Sequence, residues 1–179
     1  MNLNGYPVLI MVMGLPGSGK TYFSNAFAKA IGGVHINSDI IRKRLMEKPA
    51  YSPEDKDKIY KGMYEEVTRA LLQGQPVIVD ATFSLENYRA PYFRFATENQ
   101  IPCRIILTEA QEDIIASRLQ HKRPDSDADY EVYKKIKSEF QTLGKMHLEL
   151  RTDQLTLAEM IELGIDFIKA VNYEGTSDT

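Results

Sequence analysis

With 179 residues, 43% of them hydrophobic and 26% charged, the chain is long enough to bury one sizeable core, so one compact domain is the expectation. Its longest strongly apolar run, Val8 to Met13, falls far short of the ~20 residues of a membrane span, and Met1 to Gly5 lacks the basic start of a secretory signal; the reading is a cytoplasmic protein without a membrane partner. A lone Cys103 excludes an intramolecular disulfide and a cysteine-based zinc site, and a net charge of −3 excludes a global attraction for long polyanions.

Val8 to Met13 reads as a strand buried on both faces, ending in a glycine cluster. A helix follows, with Phe23, Phe27 and Ile31 four residues apart on its inner face. Val34 to Ile36 is a short second strand, and a helix beginning at Asp39 would carry Asp39 and Arg42 on one face of its first turn. From Pro53 to Leu72 the stripe Ile59, Met63, Val67, Ala70 and Leu71 predicts a long helix, opened by Pro53 and stopped by Gly74. Pro76 to Asp80 is the third strand. Glu86 to Asn99 reads as a helix that Pro91 should kink or restart. Cys103 to Leu107 is a fourth strand, Glu112 to Leu119 a helix, and the polar segment 120–128, with Pro124, a loop. Val132, Ile136, Phe140 and Leu143 mark a helix from Tyr130, His147 to Thr152 a fifth strand, and Leu157 to Ile168 a closing helix. The end from Glu174 to Thr179 has no core residues and is expected to fray, leaving residues 1–173 as the domain. Five strands separated by helices predict an α/β fold with a parallel sheet, whose ligands bind beyond the carboxyl ends of the strands.

Gly14 to Thr21 satisfies G-x-x-x-x-G-K-S/T directly after a strand and at the start of a helix. In that setting successive backbone N–H groups curl round a phosphate and the helix N-terminus faces it. Gly17 and Gly19 permit close backbone approach, Gly14 and Ser18 lie within the loop, Lys20 would reach the β- and γ-phosphates, and the Thr21 hydroxyl would ligate Mg²⁺. The bland alternative is a glycine-rich turn followed by a surface lysine.

Asp39 follows the second strand with Arg42 three residues on. An acceptor hydroxyl needs a base and an anchor, which these residues suit; otherwise Ser38 or Asp39 simply caps the helix and Arg42 joins Lys43 and Arg44 on a solvated face. His35 is given no role. Asp80, ending the third strand, suits the Mg²⁺ shell or the acceptor, with a helix cap as the alternative. The basic stretch Arg118 to Arg123 reads either as a helix end favoured by the dipole or as a lid, about 118–129, whose arginines cover ATP. The acidic run from Asp125 to Asp129 supplies caps for the helix from Tyr130.

Taken together, these motifs resemble the P-loop kinase superfamily, in particular small ATP-binding kinases grouped with the 5′-kinase domain of polynucleotide kinases and with zeta-toxin-like proteins. Gly14 to Thr21 is similar to the family's Walker A motif, Asp39-Ile40-Ile41-Arg42 to its D-x-x-R motif, and Val79 to Ser84 to its third-strand motif, with Phe83 where Asn is common. Arg118 and Arg123 resemble the lid arginines, one residue further apart than in some members. The resemblance implies a three-layer sandwich with sheet order 2-3-1-4-5, ATP and Mg²⁺ as cofactors, Asp39 as general base, and Arg42 with Asp80 at the acceptor. The reading that follows is a phosphotransferase from Mg-ATP to a hydroxyl of a small-molecule or nucleotide-like acceptor. A short nucleic-acid 5′ end, a toxin-like kinase and a non-catalytic ATP-binding regulator are the alternatives, and no obligate protein partner is indicated.

Overall fold

The computed structural model describes residue 3 and residues 5–46, 52–120 and 129–170. Five strands alternate with helices: β1 (Leu9–Met13), α1 (Lys20–Ile31), β2 (Val34–Asn37), α2 (Ser38–Leu45), α3 (Pro53–Leu72), β3 (Val77–Asp80), α4 (Glu86–Glu98), β4 (Cys103–Glu109), α5 (Glu112–Gln120), α6 (Tyr130–Glu139), β5 (Leu148–Arg151) and α7 (Leu157–Ala170). The strands form one all-parallel sheet in the order β2-β3-β1-β4-β5. Central β1 is wholly buried, as a strand covered by helices on both faces must be.

Because strand side chains alternate between faces, β1 feeds two cores. Leu9, Met11 and Met13 pack with Ile59, Met63 and Val67 of α3 and Tyr92 and Ala96 of α4. Val8, Ile10 and Val12 pack with Phe23, Phe27 and Ile31 of α1 and Met160 and Ile168 of α7. Gly164 lets α7 approach α1, since a Cβ there would stand 2.8 Å from the Phe27 ring.

Several boundaries differ from the sequence reading. α2 is capped by Asn37, neither by Ser38 nor Asp39: Asn37 is extended and its side chain accepts from the backbone N–H groups of Asp39 and Ile40. α4 runs through Pro91 without a restart; one turn into the helix, proline removes a single intrahelical donor. β4 continues past Leu107 to Glu109 because β5 pairs with it, Glu109 against Arg151. α6 stops at Glu139, short of Phe140 and Leu143. Arg89 draws the chain away there, donating to the carbonyls of Gln141 and Thr142 with Phe140 under its guanidinium. The expected cap at Asp129 is present, its carboxylate accepting from Val132 N–H. Residues 121–128 of the expected lid, including Arg123, and the end from Glu174 to Thr179 lie outside the described residues.

Candidate active site

The turn from β1 into α1 is built by close packing. Gly14 has φ +146 and sits so tightly against β4 that a Cβ would stand 2.4 Å from the Thr108 carbonyl and 2.7 Å from Ser18 Oγ. Thr108 stitches the turn from below, with Oγ1 2.8 Å from Ser18 Oγ and 3.2 Å from the Met13 carbonyl. Gly19, at φ +90, caps α1 with no side-chain bond, so the first N–H groups of the helix are left to the loop's concavity. Lys20 Nζ donates to the Leu15 carbonyl at 2.9 Å. Arg118 braces the loop from α5, donating to the Gly17 carbonyl at 3.1 Å and to Thr152 Oγ1 and O at 2.9 and 3.0 Å. Thr152 itself donates to the Ser18 carbonyl at 2.7 Å.

Beside the loop, the ends of β2 and β3 bring Asn37 and Asp80 into register. Asp80 is fully buried; its Oδ2 accepts from Asn37 Nδ2 at 2.7 Å and stands 3.2 Å from His35 Nε2. Among the described residues no donor reaches Asp80 Oδ1. A buried carboxylate oxygen without a partner carries a large desolvation cost, which a cation or a cation-bound water would relieve. Asn37 Nδ2 also donates to Thr21 Oγ1 at 3.2 Å, tying Asp80 to the loop's hydroxyl. Thr21 and Asp80 are oxygen donors of the kind Mg²⁺ takes, and Mg²⁺ needs only one or two protein oxygens beside phosphate and water. No cluster of three or more His, Cys, Asp or Glu side chains suited to an all-protein metal site occurs among the described residues.

Asp39 and Arg42 pair within the first turn of α2, Arg42 Nη1 donating to Asp39 Oδ1. Burial pushes the Asp39 carboxyl above the usual carboxylate range; the charges of Arg42 and Lys20 oppose that shift and Asp80 adds to it. Asp39 therefore faces Lys20 and Asp80 electrostatically. The expected residues of the loop, of α2 and of β3 come together at the carboxyl end of the sheet, whereas Arg118 lies along the side of the loop that faces Thr152.

Phe83 occupies a left-handed backbone conformation, φ +50, with its ring fully buried. The ring packs against Tyr60 and Tyr92 at centroid distances of 5.4 and 5.3 Å, and its N–H donates to Tyr60 Oη at 3.0 Å. The ring supplies no hydrogen bond to an acceptor; it locks the turn that follows Asp80. Arg89 closes the same turn, donating to the carbonyls of Phe83 and Ser84. A cavity of about 410 Å³ opens against the loop, walled by Leu15, Ser18, Thr108, Ile115 and Tyr133. Its size is that of a small-ligand pocket, and neither Asp39 nor Asp80 lines it.

His35, Asn37, Tyr60, Arg89 and Thr152 were not singled out by spacing. Only Asn37 left a signal, as a cap-type residue two positions before the D-x-x-R segment; the others act through contacts between residues distant in sequence.

The sequence profile of the AAA domain family (AAA_33) matches residues 9–143, most of the chain, a span that includes Gly14 to Thr21, Asp39, Arg42, Asp80 and Arg118. The chain belongs to this family. Solved structures with the same fold include a gluconokinase from Sinorhizobium meliloti 1021, 19% identical over 97% of this chain and 99% of that one, with a TM-score of 0.71. The Mycobacterium tuberculosis APS kinase CysC in complex with AMPPNP and APS is 18% identical over 92% of this chain and 98% of its own, with a TM-score of 0.71. Chaetomium thermophilum Kti12 in complex with ADP-AlF3 is 17% identical over 88% and 97%, with a TM-score of 0.67. No curated protein sequence matches significantly. These solved structures share the fold of this chain, the five-stranded parallel sheet of P-loop kinases. No helix among the described residues is long and apolar enough to cross a membrane.

Proposed function

We propose that the protein transfers the γ-phosphoryl group of Mg-ATP to a hydroxyl of a small-molecule or nucleotide-like acceptor. The observation that carries the reading is the convergence on one sheet end of a phosphate loop, a half-buried acid paired with an arginine, and a fully buried acid with an unsatisfied oxygen. The loop N–H groups and Lys20 hold the phosphates. Thr21 and Asp80 would hold Mg²⁺, which supplies charge neutralisation on the phosphate oxygens. Arg42 anchors the acceptor and keeps Asp39 in place. As the acceptor oxygen forms its bond to Pγ, its proton passes to the Asp39 carboxylate; the bond from Pγ to the bridging oxygen breaks and its electron pair leaves with ADP. Burial makes Asp39 a stronger base than an exposed aspartate. Arg118 is bound to Gly17 and Thr152; covering the transferring group, together with Arg123, requires those bonds to be exchanged for phosphate oxygens.

A small acceptor is favoured over a nucleic-acid strand because the basic face of α2 is partly engaged within the protein, Arg42 by Asp39 and Arg44 by Glu66. Solved structures of this fold described as a sugar kinase, a gluconokinase and an APS kinase support the same choice. The test is ADP formation from Mg-ATP across sugars, sugar acids, nucleosides and a 5′-hydroxyl oligonucleotide. One acceptor should stimulate the wild type and leave Lys20→Met at background. ATP binding with no stimulation by any of them would favour a nucleotide-binding regulator instead.

A further inference from the structure

We propose that Asn37 is the positioning residue that joins the cation side of the site to its acceptor side, a role that rests on the kinase reading above. Asn37 is 4% exposed and all four of its amide valences are spent inside the site. Oδ1 accepts from Asp39 N–H at 2.8 Å and Ile40 N–H at 3.1 Å, setting the start of the helix that carries Asp39 and Arg42. Nδ2 gives one hydrogen to Asp80 Oδ2 at 2.7 Å and the other to Thr21 Oγ1 at 3.2 Å. The amide cannot be flipped, because its oxygen faces two backbone donors and its nitrogen faces a carboxylate.

This polarity decides what the neighbouring oxygens have left to offer. With Oδ2 of Asp80 filled by Asn37 and His35, the carboxylate presents Oδ1, the oxygen that no described residue satisfies. Thr21 Oγ1, accepting from Asn37, keeps one lone pair for a cation. Partners that orient first-contact ligands typically change metal affinity 10–100-fold when removed. Because the same side chain caps α2, any displacement of Asp80 or Thr21 is transmitted through one rigid amide to the backbone of Asp39.

Asn37→Ser separates the two halves of this role. Serine keeps a cap oxygen for the α2 N–H groups but is too short to reach Asp80 and Thr21. The readout is binding of a fluorescent ATP analogue as Mg²⁺ is titrated, alongside binding in EDTA and a melting curve without Mg²⁺. Asn37→Ser should need about tenfold more Mg²⁺ for half-saturation, bind the analogue in EDTA as the wild type does, and melt below the wild type, since Asp80 loses a buried donor, but above Asn37→Ala. Asn37→Ala should show the same Mg²⁺ defect with a lower melting temperature, and Asn37→Thr serves if the serine variant does not fold. A folded Asn37→Ser or Asn37→Thr protein with wild-type Mg²⁺ half-saturation overturns the proposal while leaving the kinase reading intact. Wild-type binding that ignores Mg²⁺ altogether overturns the cation site, and the proposal with it.

Discussion

Replacing Arg89 by methionine should destabilise the protein by about 2–4 kcal/mol, because one buried guanidinium holds two distant stretches of chain together. Arg89 is 1% exposed and donates to the carbonyls of Phe83, Ser84, Gln141 and Thr142 at 2.7, 2.8, 2.6 and 3.2 Å. Gln141 and Thr142 are exposed residues, so water can replace the lost donors there. Ser84 keeps a second donor, Gln141 N–H at 2.8 Å. The Phe83 carbonyl, on a fully buried residue, is left unsatisfied at a cost of about 1–3 kcal/mol, and the charged bond to Ser84 is worth about 1.5–3 kcal/mol. Loss of the stacking on Phe140 adds about 0.5 kcal/mol. Relief of the guanidinium's own burial, which lowers its pKa, offsets part of this. Urea unfolding with an unchanged m-value, and a melting temperature lower by about 5–15 °C, are the expected results. Arg89→Lys should recover little, since an ammonium cannot span both stretches. A loss below about 1 kcal/mol for Arg89→Met would refute the claim that this side chain anchors the turn after Asp80.

Gly14→Ala should abolish nucleotide binding and lower the melting temperature, because its methyl group would meet the Thr108 carbonyl at 2.4 Å on backbone with φ +146; binding at wild-type affinity in an isothermal titration would contradict this. Asp39→Asn should lose phosphoryl transfer at least 100-fold with little change in ATP affinity. It should also reveal a pH signature. Burial raises the Asp39 pKa, so the folded state holds the proton more tightly than the unfolded chain and wild-type stability falls as pH rises from the ordinary value of 3.8 through the raised one. The melting temperature of Asp39→Asn relative to wild type should therefore climb across that window and level off above it. A difference that stays constant across that range would count against the burial argument.

The fold was legible because its signals are local and repeated. Val8 to Met13 and Pro76 to Val79 are continuous apolar runs of the kind only a doubly covered strand needs, and the stripe from Ile59 to Leu71 has one period throughout. The phosphate loop was legible because the chemistry forces glycines and a lysine into fixed positions within a few residues. The remainder of the site depends on register between strands. Nothing in the spacing of His35, Asn37 and Asp80 says that they share one carboxylate oxygen; the pairing of β2 with β3, Asn37 opposite Asp80, says so. The early end of α6 was illegible for the same reason. Phe140 continues the helical stripe, but Arg89, 51 positions earlier, takes the next two carbonyls out of the helix.

The most direct test of the account is transfer of label from γ-labelled ATP, with Mg²⁺, to a panel of small hydroxyl compounds and a 5′-hydroxyl oligonucleotide, with Asp39→Asn alongside. The account predicts a labelled small-molecule product with wild type and none with Asp39→Asn, although both bind ATP. Label released only as inorganic phosphate by the wild type, or equal transfer by the two proteins, would contradict it.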